Sequence, residues 1–74
     1  MKKYIIKMRA NELMEAAIGQ EIITTFELSA VSENAARFRA QKMMSFIMDG
    51  YIEEKRLNPA LGDDGANVIE IKEA

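Results

Sequence analysis

The residues best suited by type and spacing to do chemistry are six cations in two short stretches. Lys3, Lys7 and Arg9 alternate with apolar residues in Lys-Tyr-Ile-Ile-Lys-Met-Arg, and Arg37, Arg39 and Lys42 fall within two turns of a helical pattern. The chemistry they could serve is phosphate binding, which needs several Lys and Arg presented together on a rigid surface. Alternate residues of a strand share a face, so Lys3, Lys7 and Arg9 would stand opposite Tyr4, Ile6 and Met8. A lysine row on a strand also deters edge pairing, and that simpler role is expected first. If a single helix covers the apolar face, the strand cations and the helix cations lie on opposite sides of the sheet, in two patches.

Other chemistry is poorly supplied. The chain has no cysteine and no histidine, which removes the usual zinc ligand sets and the Ser–His and Cys–His nucleophile pairs. Asp63 and Asp64 sit between Gly62 and Gly65 and could offer oxygen ligands to a hard cation, but the EF-hand spacing is absent. Glu53-Glu54 and Glu12/Glu15 could be paired carboxylates, yet no apolar surroundings in the sequence would raise a pKa for acid–base work. Neither phosphate-loop glycine pattern occurs. Ser29, Ser32 and Ser45 have no base beside them. The expectation is a non-catalytic chain with no metal and no cofactor.

The elements that must position these residues follow from periodicity. Residues 3–9 alternate as a half-buried strand. Asn11, Glu12 and Gly19 bracket a two-turn helix as N-cap, first-turn acid and C′ glycine. Residues 21–30 form the best strand, with Ile22, Thr24, Phe26 and Leu28 on one face. Ser32 caps a long helix, and Asp49-Gly50 reads as its stop. Tyr51–Leu57 would then be a further strand, unless the helix runs on. Residues 58–65, with one Pro and two Gly, are turn chemistry. Residues 67–73 close as a strand with Ile69 and Ile71 inward. The fold expected is α+β: one domain over residues 1–74, a small, mainly antiparallel sheet of three to four strands, with one long helix on one face.

The stretch from Met43 through Met-Asp-Gly-Tyr-Ile-Glu-Glu-Lys-Arg-Leu-Asn-Pro to Ile71 resembles the end of a recognition helix plus the wing of winged-helix DNA-binding domains. The resemblance implies that a glycine ends the helix, that two strands make the wing, and that Lys55 and Arg56 take the places of the basic tip. It covers about two-fifths of the chain. Upstream, a ten-residue strand stands where that family has a helix and tight turn, and the loop at the tip is acidic, so DNA binding is not carried over with it.

Seventy-four residues bury only about 60% of the unfolded surface, so a chain without disulfides gains from oligomerisation. No apolar run spans a membrane, and Lys7 and Arg9 interrupt the N-terminal apolar region too early for a signal peptide; a cytoplasmic protein is expected. Residues 1–42 carry net +2 and residues 43–74 net −4, permitting a basic and an acidic surface on one body. At about 100° per residue, Ala36, Ala40, Met43, Met44, Ile47 and Tyr51 share a core stripe. Phe38, Met48 and, in a longer helix, Ile52 fall roughly 120–200° round from Ala36 and are expected to form an apolar partner-binding surface. The function expected is a small protein–protein binding module, pairing with itself or with another protein. Very small α+β chains are frequent among phage and mobile-element accessory proteins, including anti-CRISPR inhibitors of host nucleases, and this expectation rests on size and class alone. The alternative is a nucleic-acid-binding protein using the six cations.

Overall fold

The computed structural model describes all 74 residues. Strand β1 (Lys2–Ala10) is followed by helix α1 (Glu12–Ile18), strand β2 (Ile23–Ala30), helix α2 (Glu33–Lys55), a 3-10 turn (Pro59–Gly62) and strand β3 (Ala66–Glu73). The sheet has the order β2-β1-β3, with β1 central and both pairings antiparallel. The class is α+β, with three strands rather than four. Helix α2 lies on one face of the sheet and connects its two edges.

Alternation decides the sheet. Tyr4, Ile6, Met8 and Ala10 of β1 are buried, as are Ile22, Leu28 and Ala30 around β2. The β1–β2 register runs unbroken from Lys2↔Ala30 to Arg9↔Ile23. The β1–β3 ladder shifts between Lys7 and Met8, so that Ile71 pairs Ile6 while Val68 pairs Met8. This bulge takes up one residue and puts Val68 with Ile71 against the core. Ile69, expected inward by strict alternation, is displaced outward and is 48% exposed.

Asn11 holds the first helix to the last loop. Its Oδ1 accepts from the Met14 N–H at 2.8 Å, capping α1, and its Nδ2 donates to the carbonyls of Leu61 (2.8 Å) and Gly65 (3.0 Å). A buried amide with three of its four hydrogen bonds made fixes where both segments sit. Gly19 closes α1 at φ 85°, a left-handed angle that glycine adopts without steric cost.

Helix α2 does not stop at Gly50. It runs on to Lys55, and residues 51–55 are helical, so the expected strand at Tyr51–Leu57 and the two-stranded wing are absent. Lys55 lies in the last turn and Arg56 is the cap, at φ 53°; the N–H groups of Arg56 and Leu57 bond the carbonyls of Glu53 and Ile52. That is a Schellman ending with arginine in the left-handed position. An interior glycine costs only about 1 kcal/mol relative to alanine. Burying Ile52, with Tyr51 and Leu57 packed beside it, outweighs that cost.

The buried residues of α2 are Ala36, Ala40, Met44, Met48 and Ile52, one unbroken i+4 row. Such a row is inclined about 26° to the helix axis, so the contact stripe precesses round the helix as it climbs. The fixed stripe expected from Ala36, Met43 and Ile47 ignores this drift. Met43 is exposed, Ile47 and Tyr51 are half-buried, and Met48 and Ile52 belong to the core. Ala36 and Ala40 are small and bring the helix backbone close to the sheet; Met44 and Met48 fill the wider space beyond them, as flexible methionines do.

If the helix is continuous through residue 50, Gly50→Ala in dilute protein is expected to stabilise the fold by about 0.5–1 kcal/mol, raising Tm by a few degrees. A Cβ at Gly50 would meet nothing within 4 Å. Calorimetry checks this; a fall in Tm would mean that Gly50 is a left-handed cap after all.

Candidate docking surface

The six cations are not gathered into one site. Lys3, Lys7 and Arg9 lie on the open face of the sheet, and Arg37, Arg39 and Lys42 on the helix beyond the other face. Most are locally engaged. Lys3 Nζ is 3.1 Å from Glu27, and Arg9 Nε is 2.9 Å from Glu15, with its other arm 3.2 Å from Glu21. Arg37 is 3.8 Å from Glu33, one turn away. Arg39 donates to the backbone carbonyl of Ser29. Ala10 N–H bonds Ile22 O, and the antiparallel alternation that follows points the Ser29 carbonyl away from β1, at the free edge of β2. Arg39 therefore covers one acceptor of that edge. Lys7 faces Glu70 and Thr25 across the ladders.

Glu15, for which the sequence suggests no apolar surroundings, is in fact enclosed. It is 8% exposed and its carboxylate accepts from the Ile22 N–H at 2.9 Å as well as from Arg9. The Ile22 N–H holds the Glu15 carboxyl below its ordinary pKa; burial opposes this, and Arg9 adds to it. The group ties α1 to the start of β2 and to β1. Its place is structural, and sequence spacing alone gives no sign of it.

The outward side of α2 is the remaining candidate. The row displaced by two residues from the buried one is Phe38, Lys42, Phe46, Gly50 and Glu54, about 200° round the helix at every level. All five are exposed. Phe38 is 59% and Phe46 78% exposed. Lys42 Nζ lies 4.7 Å from the Phe38 ring centroid, a cation–π contact. Lys42, Ser45, Phe46 and Asp49 line a shallow dent beside the Phe46 ring. Gly50 follows one turn on and leaves the surface bare.

Of the three residues expected to bind a partner, the structure keeps Phe38 at the surface and moves Met48 (1% exposed) and Ile52 (8%) into the core. Both lie on the precessing buried row. Phe46 escapes the sequence reading: measured from a fixed stripe it falls at the flank, but measured from the i+4 row it points straight away from the sheet. The repeat Phe38–Lys42–Phe46–Gly50 is the signal that could have found it. Asp63 and Asp64 are exposed in the turn before β3.

Comparison with protein-family models, curated proteins and solved structures finds no match. No helix is long and apolar enough to cross a membrane.

The Glu15 geometry has a pH signature. Its folded pKa is lowered, so its contribution to stability is complete above the unfolded value, about 4.3, and is lost as pH falls through the folded value. Urea unfolding of Glu15→Gln is expected to show lower stability than wild type at pH 7, with the gap closing in acid. An equal gap at both pH values would contradict the assignment.

Proposed function

We propose that this chain is a non-catalytic binding module that docks a protein through the outward row of α2. One observation supports the reading above all: two of the three phenylalanines in the chain stand exposed, two turns apart, on the side of α2 opposite the core. Aromatic residues are enriched at the centres of protein interfaces, and Arg and Met with them. Phe38 and Phe46 offer two anchors, and Lys42 between them supplies the polar contact that fixes register. Burying one such ring is worth on the order of 1.5–3 kcal/mol. Inhibition of a host nuclease would be one use of such a module; size and class support that narrower reading.

Nucleic-acid binding through Lys3, Lys7, Arg9, Arg37, Arg39 and Lys42 is the rival. Its cations are split between two faces and three of the six, Lys3, Arg9 and Arg37, are ion-paired, whereas phosphate affinity scales with the number of cations presented together.

Phe38→Ser and Phe46→Ser are expected to leave folded proteins, with Tm within a few degrees of wild type and association or partner binding lost. Met48→Ser should instead unfold much of the population, since emptying a buried Met site costs about 2–5 kcal/mol, a large part of the stability of so small a domain. Circular dichroism with sedimentation separates the two. If Phe46→Ser unfolds a monomer, the docking role fails. Tight, salt-sensitive binding of duplex DNA or RNA at about 50 mM salt would favour the rival.

A further inference from the structure

We infer that the partner of this row is a second copy of the chain, packed antiparallel on α2 about a two-fold axis that passes near residue 44. The inference rests on the docking role proposed above and names the occupant. Three features of the surface carry it.

The first is charge. The outer side of α2 is basic in its first half, where Arg37 and Lys42 outnumber Glu33, which already lies 3.8 Å from Arg37, and acidic in its second, with Asp49, Glu53 and Glu54. A parallel pairing would set like charges against each other. An antiparallel pairing sets each basic half on an acidic half, twice, by symmetry. Exposed carboxylates on this side are thereby matched by cations that an unrelated partner would have to supply.

The second is shape. In an antiparallel pair centred near residue 44, residues equally far before and after that point face each other. Phe38 then faces Gly50 of the other copy. Gly50 is exposed, sits inside a helix where glycine is unfavourable, and has open space where its Cβ would be. Nothing within the monomer requires a glycine there. A phenyl ring laid over that bare backbone does.

The third is the dent. Lys42 of one copy faces Phe46 of the other and enters the depression lined by that copy's own Lys42 together with Ser45, Phe46 and Asp49. There its ammonium meets a carboxylate and a second aromatic ring while keeping the Phe38 ring it already covers at 4.7 Å. On the flanking row, Arg37 falls between Asp49 and Glu53 of the other copy. Two i+4 rows interdigitated in this way cross the helices at about 50°, the commonest class of helix packing.

A reciprocal charge exchange tests both partner and orientation. Lys42 and Asp49 are exposed in the monomer, so Lys42→Glu and Asp49→Lys should each fold, as circular dichroism would verify. Wild type is expected to sediment as a concentration-dependent dimer. Each single variant brings like charges together in the dent and should weaken association at least tenfold. In an equimolar mixture, the carboxylate introduced at position 42 of one variant meets the ammonium introduced at position 49 of the other in the dent. The native Lys42 and Asp49 that remain meet in the second dent, so association should be restored as a heterodimer. Wild type that stays monomeric up to about 1 mM overturns the self-pairing while leaving the row free to dock another protein. Wild type that dimerises with no loss in either variant or in Phe46→Ser associates through another surface, which overturns both this inference and the docking role. Single variants that lose association without recovery on mixing overturn the antiparallel placement.

Discussion

One constraint organises the molecule: a three-stranded sheet can bury only one side of a 23-residue helix. The helix is about 34 Å long at 1.5 Å per residue, nearly the 39 Å length of the whole body. Its fully buried residues form the one row Ala36, Ala40, Met44, Met48 and Ile52, with Ala35, Ile47 and Tyr51 packed beside it. Everything on the opposite row is left to water or to a partner. Because the row precesses, the second half of the helix turns towards the 3-10 turn and β3, and Leu57, Leu61 and Val68 pack there. Asn11 completes the arrangement by bonding the carbonyls of Leu61 and Gly65 from the far end of β1. The loop over residues 58–65 is therefore held by a buried polar anchor on one side and by the end of α2 on the other.

Much of this is legible in the sequence. Alternation identifies β1, β2 and β3 and the inward faces of the first two, because a half-buried strand repeats every two residues. Asn11, Gly19 and Ser32 mark helix ends through local hydrogen bonds that need no tertiary context. The misreadings share a cause: each local signal is weaker than a distant contact. Asp49-Gly50 is a stop only where nothing beyond it needs burial, and Ile52 does. Strict alternation in β3 fails at the bulge, whose position is set by the partner strand. The helical wheel fails for Met48 and Ile52 because it fixes the stripe at Ala36 and lets it run parallel to the axis. Glu15 cannot be read at all, since its main partner is a backbone N–H seven residues on.

The same precession that buries Met48 exposes Phe46. With the row read properly, the outward side of the helix carries two rings with a lysine between them and a glycine one turn beyond. The charges of this side divide by halves, in the same sense as the whole sequence divides. Ion pairing on the open sheet face has a different character: Lys3–Glu27, Lys72–Glu70 and Arg9 with Glu15 and Glu21 largely neutralise it. Exposed pairs of this kind contribute little to stability. The polarity of that face makes it the poorer candidate for an apolar contact.

Which i+4 row of α2 is core and which is surface can be read directly because the chain has no cysteine of its own. A single cysteine placed in turn at positions 38, 42, 46, 44, 48 and 52 reports accessibility through its rate of reaction with a thiol reagent in dilute native protein. Rates near those of an unfolded peptide are expected at 38, 42 and 46, and slow reaction limited by opening at 44, 48 and 52. Fast reaction at 48 and 52, or protection of 46 equal to that of 44 in the monomer, would contradict this assignment of core and surface rows.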